Sequence, residues 1–102
     1  MEQVFQRLAT NLNASDVESL GACFEFKFQD EDAWYLDARG PAVTIGRAPA
    51  PFDCSCELSQ AAFQRLIEGR VSPQKLFFDG ELQLKGDLSL VRRLSMLAKA
   101  YK

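Results

Sequence analysis

Histidine is absent from this chain of 102 residues. Its absence excludes the Ser-His and Cys-His pairs that activate most nucleophiles, and it leaves no mixed histidine–cysteine zinc site. Cysteine is scarce. Cys23, Cys54 and Cys56 are too few and too unevenly spaced for a disulfide framework. Long hydrophobic runs are missing too: no segment approaches the roughly 18 apolar residues of a membrane span, and the opening Met-Glu-Gln-Val-Phe-Gln-Arg-Leu has no signal-peptide core. Ala-Tyr-Lys at the end does not match a peroxisomal address of the Ser-Lys-Leu kind. Net charge is only −2, against the basic face that nucleic acid requires. These absences predict a cytoplasmic domain with no metal, no cofactor and no nucleic-acid partner.

What is present is ordinary globular composition, 47% hydrophobic and 25% charged, in one domain spanning 1–102 with a single core. Its charge is uneven: residues 1–50 carry 4 Lys/Arg against 8 Asp/Glu, residues 51–102 carry 8 against 6. Arg92, Arg93, Lys99 and Lys102 make the end of the chain its most basic part. Complementarity to a helix dipole on a solvated face accounts for this, and a transient contact with anionic membrane surfaces is the sharper alternative.

Along the chain, Val4, Phe5, Leu8 and Leu12 form one stripe of an opening helix, and Ser15 with Glu18 has capping-box spacing before Gly21. Ala22, Phe24, Phe26 and Phe28 alternate with Cys23, Glu25, Lys27 and Gln29, which predicts a strand with one apolar and one wet face. A charged turn at Asp30-Glu31-Asp32 leads into a second strand, Ala33 to Arg39, with Trp34, Leu36 and Ala38 on one side. Val43 and Ile45 mark a third strand, and Pro49 and Pro51 an irregular connection. A fourth strand is expected over Phe52 to Leu58, with Phe52, Cys54, Cys56 and Leu58 inward, the two cysteines as small apolar groups, and Asp53, Ser55 and Glu57 outward.

Ser59 caps a helix with the stripe Ala62, Phe63, Leu66 and Ile67, stopped by Gly69. Ser72-Pro73 opens a turn of helix carrying Leu76 and Phe77. Gly80 and Gly86 then bracket a short strand, and Asp87 caps a closing helix with apolar Leu90, Val91, Leu94, Leu97, Ala98 and Tyr101. Hiding the apolar faces predicts an α+β fold, a five-stranded, mostly antiparallel sheet with helices packed on one face. Asp37 and Asp53 fall at outward strand positions, solvated rather than poised for acid–base work, so no catalytic residue is expected.

Three segments, in order, carry a family likeness. Phe-Asp-Gly-Glu-Leu-Gln-Leu-Lys-Gly-Asp (78–87), Asp-Cys-Ser-Cys-Glu-Leu-Ser (53–59) followed by Phe63 and Gly69, and the phenylalanine-rich hairpin from Gly21 to Leu36 with Trp-Tyr-Leu-Asp (34–37) together resemble the sterol carrier protein (type two) domain. The resemblance implies an apolar tunnel between sheet and helices that holds fatty acids, fatty acyl-CoAs, sterols or phospholipids, and no catalytic residues. Some bacterial relatives are accessory factors in ubiquinone synthesis.

The residues by themselves favour a filled core, since interiors normally pack to crystal-like density. The small Ala38, Cys54, Cys56 and Ala62 on inward faces favour a pocket instead. Its lining is expected from Phe24, Phe26, Trp34, Leu36, Ile45, Cys54, Cys56, Phe63, Ile67, Phe77, Leu90, Leu94 and Leu97, with Arg93 or Lys99 meeting a head group. The function expected is non-enzymatic binding, carriage or presentation of a lipid or other apolar small molecule. The alternative is a filled-core accessory module that docks to a partner enzyme, for example in quinone or lipid metabolism. The oligomeric state is left open.

Overall fold

The computed structural model describes residues 1–29 and 31–101. Helices α1 (Glu2–Asn11) and α2 (Ala14–Leu20) lead into strands β1 (Cys23–Phe28), β2 (Glu31–Asp37), β3 (Thr44–Gly46) and β4 (Cys54–Glu57). Helices α3 (Gln60–Ile67) and α4 (Pro73–Phe78), strand β5 (Gln83–Gly86), a 3₁₀ segment (Leu88–Leu94) and helix α5 (Ser95–Tyr101) follow. The strands lie in the order β3-β2-β1-β4-β5, every neighbouring pair antiparallel except β1 and β4. The fold is α+β, as expected.

Local chemistry explains most boundaries. Ser59 and Ser72 accept hydrogen bonds from the N–H groups of Ala62 and Lys75, capping α3 and α4, and Pro73 occupies the first turn of α4, where its missing N–H costs nothing. Gly86 has φ +91°, and a Cβ there would stand 2.4 Å from the Asp53 carbonyl oxygen, so only glycine permits β5 to pair with β4 at Cys54.

Several boundaries differ from expectation. The capping box of α2 is Asn13 with Asp16, not Ser15 with Glu18; the Asn13 side chain accepts from the Asp16 N–H at 2.8 Å and Asp16 accepts from the Asn13 N–H. β2 starts at Glu31, which pairs with Phe28 across the register shift in β1, and whose carboxylate accepts from Trp34 Nε1 at 2.8 Å and Gln60 Nε2 at 3.2 Å. Of the expected charged turn, Asp30 lies outside the described residues. β4 is confined to Cys54–Glu57, and Phe52 stands exposed before it. The closing helix is two pieces. The Ser95 hydroxyl donates to the Arg92 carbonyl at 2.9 Å where the 3₁₀ segment gives way to α5, a side-chain bond that competes with regular helix pairing.

The second face of the sheet is not uniformly wet. Cys23, Glu25, Tyr35 and Ser55 are buried there. The Glu25 carboxylate accepts from the Tyr35 hydroxyl at 2.5 Å and from the Ser55 hydroxyl at 2.6 Å, with Lys27 Nζ at 4.0 Å. Those bonds replace the water that a carboxylate loses on burial.

Candidate functional site

The inner face of the sheet and the helices above it enclose one apolar cluster that divides into two regions. At the hairpin end, rings interlock: Phe5 stacks on Trp34 (centroids 4.9 Å apart) and on Phe63 (5.3 Å), and Phe63 meets Phe26 and Phe28 at 5.2 and 5.4 Å. Such pairs are worth about 0.5–1.5 kcal/mol each beyond their burial. At the opposite end, register sets Phe24 between Leu36 and Cys54, with Cys54 beside Gly86. Here the small and aliphatic Leu36, Cys54 and Gly86 surround the Phe24 ring, which lies 6.3 Å from Phe26; the 3₁₀ segment packs on β4 and α5 on α1, α2 and α3, and together they add Leu90, Leu94 and Leu97 to the cluster.

That lid is tied down at three places. At its start, the Asp87 N–H donates to the Asp53 carbonyl at 2.8 Å, and the Asp87 carboxylate accepts from the Ser89 N–H and hydroxyl. The Ser89 bonds hold the Asp87 carboxyl below its usual range. In the middle, Arg93 donates to the Leu20 carbonyl at the end of α2. At its end, the Tyr101 ring lies 4.4 Å beneath the Arg7 guanidinium, and its hydroxyl accepts from Gln64 Nε2 at 3.4 Å.

Of the thirteen expected lining residues, eleven are buried in this cluster: Phe24, Phe26, Trp34, Leu36, Cys54, Cys56, Phe63, Ile67, Leu90, Leu94 and Leu97. Ile45 packs against it from the edge strand, partly exposed. Phe77 does not join them. It stands 43% exposed beside Phe78, because α4 is only six residues long and commits Pro73 and Leu76 to the interior. Arg93 is engaged with the Leu20 carbonyl, whereas Lys99 is exposed on α5.

The hydrogen bond between the Cys54 and Cys56 thiols pushes Cys56 up, with burial adding to it, and draws Cys54 down, while burial, then the Asp37 carboxylate, pushes Cys23 up. The two outward carboxylates have structural partners: Asp37 is paired with Arg39 at 2.8 Å, and Asp53 accepts from the Cys23 N–H at 2.8 Å.

Sequence reasoning missed a cleft of about 340 Å³ between the end of α3, the connection to α4 and the start of α5. Leu66 forms its buried floor, Gly69, Val71, Pro73, Ser95 and Ala98 its walls, and Arg70 its rim. The small residues Gly69, Ser95 and Ala98 were the available signal, invisible until α3 and α5 are placed side by side.

Comparison with known proteins agrees with this geometry. Residues 1–99 match the model of the SCP-2 sterol transfer family. Human sterol carrier protein 2 is 29% identical over 87 residues, covering 79% of this chain, and bovine hydroxysteroid dehydrogenase-like protein 2 is 26% identical over 101 residues, covering 95%. The chain spans only 16% and 24% of the length of those two relatives. Among solved structures, the apo form of sterol carrier protein 2 from Yarrowia lipolytica superposes with a TM-score of 0.76 at 26% identity, covering 97% of this chain and 90% of that one. A UbiJ-SCP2 ubiquinone synthesis protein shares the fold at 19% identity, with a TM-score of 0.73 over 93% of this chain and 89% of that one. A sheet of this order, closed by a two-piece lid over an apolar face, and a family match over nearly every residue lead to one conclusion: the chain belongs to the SCP-2 sterol transfer family.

Proposed function

We propose that the chain binds one apolar lipid between the inner face of its sheet and the lid, and carries or presents it without converting it. A fatty acid, fatty acyl-CoA, sterol or phospholipid would suit the site. The observation that supports this reading is the set of small side chains on the inner face of the sheet, where Leu36 and Cys54 border Phe24 and Gly86 lies beside Cys54, away from the stacked rings of Phe5, Trp34 and Phe63. Apolar surface of this kind retains a ligand by burial and shape. A chain of ~14 carbons buried at about 0.8 kcal/mol per CH₂ gains roughly 11 kcal/mol before the costs of association.

Leu90, Leu94 and Leu97 now occupy the space beneath the lid, so binding requires the lid to rise. Lys99, exposed on α5 one residue along from Ala98 in the α3–α5 cleft, would supply a cation for a carboxylate or phosphate head group, whereas Arg70 on the rim is paired with Glu68. The burial of eleven lining residues favours the alternative, an accessory module with a filled core that docks to a partner enzyme.

Native mass spectrometry of the purified chain, with organic extraction and then added fatty acid or fatty acyl-CoA, separates the two. An extractable adduct of lipid mass supports carriage. No adduct and no rise in melting temperature with any added lipid would overturn it and leave the accessory reading.

A further inference from the structure

Arg92 and Arg93 are the only adjacent arginines in the chain, and Ser95 is the only serine or threonine with arginine at both the third and the second position before it. All three residues are exposed. Ser95 stands at the joint of the lid, where the 3₁₀ segment gives way to α5, and its hydroxyl donates to the Arg92 carbonyl at 2.9 Å. Side chains three apart eclipse in a 3₁₀ turn, so Arg92 and Ser95 lie on one side of the lid. The same serine lines the cleft between α3 and α5, whose rim carries Arg70.

We propose that Ser95 is a phosphorylation site, read through Arg92 and Arg93 by a serine kinase with an acidic substrate groove, and that its phosphate clasps the lid to the end of α3 through Arg70. The charge pattern ahead of the accepting hydroxyl is what such kinases discriminate, and carboxylates in the groove pair with guanidinium groups. The 3₁₀ segment, with poorer hydrogen-bond geometry than an α-helix, is the part of the lid that opens to enter the groove. Engaging Arg93 takes it from the Leu20 carbonyl, so the raised lid is the form that is modified. In the transfer, Ser95 Oγ bonds to the γ-phosphorus of ATP as the bond to ADP breaks, and the hydroxyl proton passes to the catalytic carboxylate of the kinase.

A phosphoserine carries a charge of about −1.5 to −2 at neutral pH and three strong acceptor oxygens. Arg92 stands beside it, and Arg70 lies on the rim of the same cleft. Arg70 is otherwise held by Glu68 at 3.5 Å with 70% of its side chain exposed, and an ion pair so exposed contributes little. A phosphate offers the guanidinium two parallel hydrogen bonds instead. Gly69 and Ala98 leave the cleft open, at about 340 Å³, for the added group. The modification therefore fastens the closed lid on its α3 side, while Arg93 fastens it on its α2 side.

Incubation of the purified chain with magnesium, ATP and the catalytic subunit of cyclic-AMP-dependent protein kinase, followed by peptide mass spectrometry, tests the site. One phosphate is expected on Ser95. Ser95→Ala, with an unchanged melting temperature, is expected to take none, and Arg92→Ala to be modified at least about tenfold more slowly. In the phosphorylated chain, a disulfide reagent is expected to reach Cys54 and Cys56 at least about threefold more slowly, with Cys23 unchanged. Arg70→Ala is expected to accept the phosphate and to abolish that slowing. Three results would overturn the proposal: no phosphate on Ser95 under conditions that modify a control peptide, equal rates for Arg92→Ala and wild type, and thiol labelling that the phosphate leaves unchanged or speeds. The assay requires no bound lipid, so its failure would leave the lipid reading standing.

Discussion

The Arg93 guanidinium reaches 73 positions back along the chain and donates to the Leu20 carbonyl at 3.1 Å. It therefore satisfies an acceptor at the end of α2 while fastening the middle of the lid. Arg93→Ala removes one charge-assisted bond and is expected to cost about 1 kcal/mol of stability. It should also speed exchange of a bound fluorescent fatty acid severalfold, measured by stopped flow. An exchange rate equal to wild type would show that the lid is not held there.

Thiol labelling reads the same opening. Cys23, Cys54 and Cys56 are all fully buried, but Cys54 and Cys56 lie beneath the lid and Cys23 on the outer face of the sheet. Modification by a disulfide reagent, resolved peptide by peptide, is expected to be faster at Cys54 and Cys56 in Arg93→Ala and unchanged at Cys23. Equal acceleration at all three would mean whole-chain unfolding rather than lid movement.

Gly86 is the hinge from which the lid departs. With φ +91° and a virtual Cβ at 2.4 Å from the Asp53 oxygen, Gly86→Ala combines backbone strain with a direct overlap. A loss of at least about 2 kcal/mol in urea denaturation is expected. An unchanged midpoint would contradict the close approach of β4 and β5.

On the outer face, Tyr35 offers a pH test. Its hydrogen bond to Glu25, then burial, pushes the phenol from its ordinary value of 10.0 up to about 12. The fold therefore favours the protonated phenol: its contribution to stability is fully present below about pH 10 and is lost as pH rises toward 12. In a Tyr101→Phe background, phenolate absorbance should titrate near the upper value, and Glu25→Gln should move it back down. A titration unaffected by Glu25→Gln would remove the carboxylate as the cause.

Local signals made much of the fold legible. Period-two alternation marked β1 and β2, the serines at 59 and 72 marked two helix starts, and Gly80 and Gly86 bracketed β5, because each feature depends on residues a few positions apart. The family likeness of residues 53–59 and 78–87 also lay in the order of residues.

The sequence by itself determined which faces are apolar, where most elements begin, and that one sheet needs a helical cover. Only the tertiary structure decided that β4 lies parallel to β1, that Glu25 is buried with Ser55 from 30 positions away, and that Phe77 turns outward with Phe78. It also decided that Phe5, from α1, stacks on both Trp34 and Phe63, and that Gly69 and Ala98 share a cleft. These features depend on which distant segments become neighbours, and a hydrophobic period records only that a residue is turned inward, not what it meets there.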